Sequence, residues 1–337
     1  MPDKTVSSAR NGPPESIRPG CIIWRMNGKH VVFGCSGPIG VALMERLAVG
    51  GHEVIGVCRS GESVAPAGAR IEAGDVRDID RAARLAEGAD VIYGCVGIPY
   101  PLWVDLWPGI VEGLLAAAES AAARLVFADN LYCYGAQNRP LTEDLPLTDY
   151  GRKPTLRAKL ARTMLEADRV GRARVALVRA SDFYGPRVTN AAMGERVFPN
   201  LIAGKPVQLL GDPEAPHALT YAPDFARALE VIGSAADGDY GQAWHVPNAP
   251  VRTQREVVSL LSELSGRPVR IRSLRRRTIV LLSLFSPMLR EVKELMHQWE
   301  LPYRVDHSKW ASRFGDEHTP LEEGLRATLE WYRSAAG

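Results

Sequence analysis

The stretch GCSGPIG sets glycines at Gly34, Gly37 and Gly40, between the apolar run HVVF and the amphipathic run VALMERLAVGG. No other feature constrains the fold as tightly. Gly34 permits a tight turn, Gly37 lets the backbone approach a pyrophosphate, and Gly40 lets a helix pack closely on a strand. Ser36, Pro38 and Ile39 complete the loop, and a helix starting there offers unpaired N–H groups to an anion. In this strand–turn–helix setting the spacing predicts a dinucleotide site rather than a purely structural glycine turn.

The rest of the chain repeats that alternation. Short apolar runs (HVVFGC, HEVIGVCRS, DVIYGCVG, RLVFADN, ARVALVRAS) read as strands. The runs PIGVALMERLAVGG, DIDRAARLAEGA, WPGIVEGLLAAAESAAA and PTLRAKLARTMLEADRVG read as helices, with Asp78 or Asp80 as a cap and Pro154 in a first turn. Such alternation predicts an α/β fold, a doubly wound parallel (Rossmann) sheet with right-handed crossovers. Beyond Arg187 the pattern decays, although DYGQAWHVPN reads as a late strand rejoining the sheet. The expected organisation is a loose tail over 1–28 and a dinucleotide-binding domain over 29–185, rejoined at about 220–247. A smaller substrate-binding lobe over 186–219 and 248–337 is expected to cover the carboxyl ends of the strands.

The 337 residues are 46% hydrophobic and 24% charged with a net charge of +2, which gives no reason to expect a nucleic-acid or membrane partner. The longest apolar run, TIVLLSLF, falls short of the ~20 residues of a membrane span. The basic run RIRSLRRR reads as a solvated surface. Five cysteines without paired spacing indicate neither a metal site nor a disulfide framework. With no secretory signal in view, a cytoplasmic protein acting on a small molecule is expected.

The second strand ends in Cys58 and Arg59, where an acidic residue would read the adenosine ribose. Replacing that acid by a cation favours NADP(H) over NAD(H).

With GDVRD, LYCYG, LVRASDFYGP and LTYAPDFARAL added to the glycine loop, the chain resembles the extended short-chain dehydrogenase/reductase superfamily, in its epimerase/dehydratase branch. The resemblance runs from about Gly28 to Arg333. It implies that Asp75 and Val76 contact adenine, and that Gly94, Cys95 and Val96 form the strand end beside the cofactor. It also puts Ala180, Asp182 and Phe183 at the cofactor, and Tyr134, Tyr184, Phe198 and His217 toward substrate. Two helices, from WPGIVEG and from PTLRAKL, resemble the pair that forms a homodimer.

The family's catalytic Ser or Thr falls at Asn130, its Tyr at Thr155 and its Lys at Lys159. By the resemblance Lys159 holds the nicotinamide ribose. A threonine hydroxyl cannot replace a phenol as acid or base, so Tyr132 is the favoured proton donor. Asn130 is expected to donate to a substrate carbonyl, and Asp129 to act as a base or as a turn cap. The space vacated at Thr155 is expected to be open and lined by Asp129, Asn130 and Tyr132.

The expected activity is an atypical NADP(H)-dependent oxidoreductase of a small polyfunctional metabolite, of the kind found in secondary metabolism. A redox-neutral isomerase, dehydratase or cyclase is one rival. A non-catalytic nucleotide-sensing protein, marked by an exposed apolar patch around TIVLLSLFSPML, is the other.

Overall fold

The computed structural model describes residues 28–335; the tail expected over 1–28, with its CIIW segment, lies outside them but for Gly28. Seven strands form one parallel sheet. They are β1 (Lys29–Phe33), β2 (Glu53–Cys58), β3 (Ala69–Ala73), β4 (Val91–Gly94), β5 (Arg124–Asn130), β6 (Arg174–Ala180) and β7 (Gln242–His245). Their order is β7-β6-β5-β4-β1-β2-β3. The order reverses between β1 and β4, so a crevice opens at the carboxyl ends of those two strands.

The central strands are buried on both faces, which is why they read as unbroken apolar runs and not as alternation. Helices α1 (Pro38–Val49) and α5 (Ala222–Gly233) cover one face. Helices α2 (Ile79–Ala86), α3 (Trp103–Ala121) and α4 (Arg152–Arg169) cover the other. The start of α2 is settled by Asp78, whose side chain accepts from Arg81 N at 3.0 Å. Strand β3 has no counterpart among the apolar runs: ARIEA is a partly exposed edge strand with no buried apolar run to announce it.

Beyond the sheet, α6 (Gln254–Ser265) and α9 (Leu321–Ala335) pack around Phe198, Leu261 and Tyr332 as a separate apolar cluster. Thr253 caps α6, with Glu256 reaching back to the Thr253 N–H at 2.7 Å. The short helices between them include α7 (Arg276–Leu282) and α8 (Pro287–Lys293). Helix α8 rests on the turn Tyr100–Leu102 that follows β4, so this part of the chain sits over the strand ends.

Candidate active site

The glycine loop forms the expected cradle. Gly34 has φ +87°, and a Cβ there would lie 2.5 Å from the Cys95 carbonyl carbon. A Cβ on Gly40 would meet Gly34 O at 2.4 Å. Over Gly37, by contrast, nothing comes nearer than 3.5 Å. Helix α1 starts there with no side-chain cap and no acid in its first turn, leaving the N–H groups of Ile39 and Gly40 to an outside anion. Cys95 and Val96 supply the facing backbone, and Gly94 allows β4 to pass Leu114 and Phe127. These residues fit a dinucleotide pyrophosphate.

The residues expected at the adenosine end lie past β2 and β3. Cys58 is buried, and Arg59 is exposed just past β2. Asp75 accepts from Arg77 N and Nε, both at 3.0 Å. Arg77, with Arg59 in support, holds the Asp75 carboxyl below the usual range despite partial burial. Val76 is buried with its carbonyl against α3, where a Cβ on Gly113 would lie 1.8 Å away.

At the nicotinamide end the structure departs from the motif. The buried residues of α4 include Lys153, Arg157, Leu160, Ala161 and Met164. Lys159, two residues past Arg157 and so half a turn round the helix, is exposed on the opposite side with no ion pair among the described residues. The ribose-holding role therefore finds no support in its position. Thr155 Oγ1 is enclosed and has no hydrogen-bond partner among the described residues. The two cations at i, i+4 spacing that reach the interior are Lys153 and Arg157.

Arg157 fills the region expected to be open. Its guanidinium lies 4.5 Å from the Trp107 ring centroid and ion-pairs with Asp129, which Arg179 Nε also meets at 3.1 Å. Burial alone would raise the Asp129 pKa, but the two guanidinium groups hold the carboxyl below the usual range. Asp129 also accepts from Asn130 N at 2.8 Å. It is a committed structural anion, and the base role expected for it is not what its partners allow. Arg179 continues to Tyr134 Oη at 2.6 Å, and Tyr134 to His245 Nε2 at 2.8 Å. Tyr134 is thus fully buried in this network and not turned toward substrate.

Tyr184 and Phe198, also expected at the substrate, belong to the apolar cluster beyond the sheet. Phe198 stacks on Tyr332 with centroids 5.0 Å apart. Tyr132 does stand at the strand ends. Its hydroxyl meets Tyr100 Oη at 2.7 Å, and its ring stacks on Trp103. Burial pushes the Tyr132 pKa well up and Tyr100 to about 12, so both phenols hold their protons. Asn130 Oδ1 accepts from Tyr132 N at 3.1 Å, leaving its amide nitrogen without a partner among the described residues.

Asp182 and His217, assigned separately in the sequence, come together. His217 Nε2 lies 3.0 Å from Asp182 Oδ2, and Nδ1 lies 2.9 Å from the Gln298 carbonyl oxygen. A carbonyl only accepts, so Nδ1 carries a hydrogen. A carboxylate also only accepts, so the other contact needs one further proton, on Nε2 or on Asp182. Oδ2 also accepts from Trp299 Nε1, at 2.9 Å. Oδ1 has no partner among the described residues, on a side chain that keeps 12% exposure. Asp182 lies two residues past Ala180, which pairs with Asn130 across β6 and β5, so this free oxygen belongs to the strand-end region. Phe183 packs partly buried beside it. Farther out, a groove of about 360 Å³ is lined by Arg196, Gln208, Arg272, Leu274, Leu282, Ser286, Met288 and Leu289.

Sheet order, phosphate loop and buried polar groups at the strand ends together define a dinucleotide-binding α/β protein. The profile of the NAD dependent epimerase/dehydratase family matches residues 30–246, and the chain belongs to that family. The fold is similar to UDP-glucuronic acid 4-epimerase from Bacillus cereus, solved in complex with NAD, at TM-score 0.76 and 17% identity, covering 92% of this chain and 100% of that one. It is also similar to dTDP-glucose 4,6-dehydratase from Bacillus anthracis, likewise with NAD, at TM-score 0.73 and 17% identity, covering 91% and 97%. An uncharacterised protein of Mycobacterium tuberculosis is 34% identical over 102 residues, which are 29% of this chain and 12% of that protein. The chain thus spans only a small part of that curated relative. No helix among the described residues is long and apolar enough to cross a membrane.

Proposed function

We propose that the protein is an NADP(H)-dependent member of the family acting at a hydroxyl or carbonyl carbon of a small polyfunctional metabolite, with proton transfer assigned to Asp182 and His217. The observation that carries this reading is the 3.0 Å contact of His217 Nε2 with Asp182 Oδ2, beside an Asp182 Oδ1 that has no partner among the described residues. As a substrate hydroxyl is oxidised, its O–H bond breaks and an O–H bond forms on Oδ1, while the neighbouring His217 and Trp299 donors stabilise the oxygen that stays bonded to them. In the reverse direction the same oxygen returns the proton. The Asn130 amide and the Tyr132–Tyr100 hydroxyls serve as neutral donors to the substrate oxygen.

The glycine loop, the N-terminus of α1, Asp75 and Arg59 hold the nucleotide, with Arg59 facing a 2′-phosphate. A nicotinamide, when bound, supplies the site with a hydride donor or acceptor.

Calorimetric titration with NADPH and NADH tests the reading. NADPH should bind more tightly, and binding of neither nucleotide would rule the proposal out. Once a substrate is in hand, following reduced nucleotide through turnover separates net oxidoreduction from redox-neutral isomerisation.

A further inference from the structure

Six of the fourteen large apolar side chains most exposed in the described chain fall within nine residues: Val280, Leu281, Leu282, Leu284, Phe285 and Met288. Scattered exposure of this kind is ordinary, but a contiguous cluster marks a contact surface. Helix α7 buries only Ile279, and the turn after it leaves Leu284 68% and Phe285 84% exposed. The cluster continues across α8 to Leu102, in the turn on which α8 rests.

Its rim is cationic. From Arg270 to Lys293 the sequence carries seven Arg or Lys and a single acid, Glu291. Glu291 is already paired with Lys153. Arg276 pairs with Glu300, whereas Arg272, Arg275, Arg277, Arg290 and Lys293 are exposed without an ion pair among the described residues.

We infer that this face docks on an anionic lipid bilayer, with Leu284 and Phe285 entering the headgroup boundary and the arginines against the phosphates. Apolar side chains at a projecting turn, ringed by unpaired cations, carry the two attractions that hold a protein on such a surface without spanning it. Charge argues against the other occupants. A second copy docked face to face would oppose one cationic rim with another. The segment 1–27 has four Lys or Arg against two acids, so it too carries the wrong sign.

The experiment is co-sedimentation of the full chain with vesicles of phosphatidylcholine alone or mixed with phosphatidylglycerol, at low and high salt. Binding should be about tenfold or more stronger on the anionic vesicles, and should weaken as salt rises. The exposed double variant Leu284→Glu/Phe285→Glu should lose it while keeping the wild-type circular dichroism and melting temperature. Equal partition to both vesicles, or to neither, would overturn the inference. So would a wild-type dimer, seen by light scattering, that the double variant dissolves.

Discussion

Asp182 and His217 are held 3.0 Å apart by two separate parts of the chain, and the Gln298 carbonyl fixes which ring nitrogen faces the carboxyl group. In the proposed reading, this pair takes the acid and base role that Thr155 and Lys159 do not fill.

Asp182→Asn retains the shape but removes the second acceptor. Imidazole nitrogen spectra should then show His217 with a hydrogen on Nδ1 alone. Turnover should fall by about 10² to 10⁴, the range for a positioned proton-transfer group. Spectra identical to wild type would remove the shared proton and the role built on it.

Arg59→Asp addresses the nucleotide. One charge-assisted contact to a phosphate contributes about 1.5–3 kcal/mol. Wild type should therefore prefer NADPH over NADH by roughly tenfold to a hundredfold, and the variant should narrow or invert the gap. Equal affinities in wild type would detach Arg59 from the 2′-phosphate.

Asp129→Asn leaves Arg157 and Arg179 buried with one carboxylate fewer. Breaking a buried ion group by removing one partner costs about 3–5 kcal/mol. Urea unfolding at neutral pH should show a loss of that order. A fully stable variant that has lost turnover would restore the catalytic base expected from the sequence.

Thr155→Val exchanges an enclosed, unpartnered hydroxyl for a methyl of nearly the same shape. An unsatisfied buried hydroxyl costs about 1–3 kcal/mol, so the variant should unfold at higher denaturant concentration and keep its turnover. Lys159→Ala, on the solvent face of α4, should change neither stability nor nucleotide affinity. Loss of activity in both would return them to the catalytic centre.

How much of this was legible in the sequence depends on distance along the chain. The glycine loop, the alternation of strands and helices and the Asp78 cap are local patterns, and the fold shows them. The buried face of α4 was also readable: Ala158, Leu160, Ala161 and Met164 set its phase, and that phase includes Lys153 and Arg157. Counting four residues from the vacant tyrosine position led instead to Lys159. Tyr184 fits a family motif equally well as a ligand contact or as core, and only packing separates the two. The Asp182–His217 pair joins positions 35 residues apart through a carbonyl 81 residues farther on, which no local pattern encodes.

Acid should weaken the protein through two histidines that are buried neutral. Burial lowers His30 to about 4, helped by neighbouring His52, and lowers His245 to about 3. The unfolded chain takes up a proton at each position near 6.5, whereas the folded chain does so only near the lowered values. Below about pH 6.5 the unfolded state therefore binds more protons, and stability falls as pH falls. Each histidine contributes a slope of up to about 1.4 kcal/mol per pH unit within that window. Together they are worth up to about 3 kcal/mol between pH 6 and 5, before any carboxylate titrates. Urea midpoints measured from pH 7.5 to 5 should stay level above the window and then decline. His30→Gln, which cannot take up the proton, should shallow the decline by about half. Midpoints that hold level down to pH 5 in wild type would mean that neither imidazole is kept neutral by the fold.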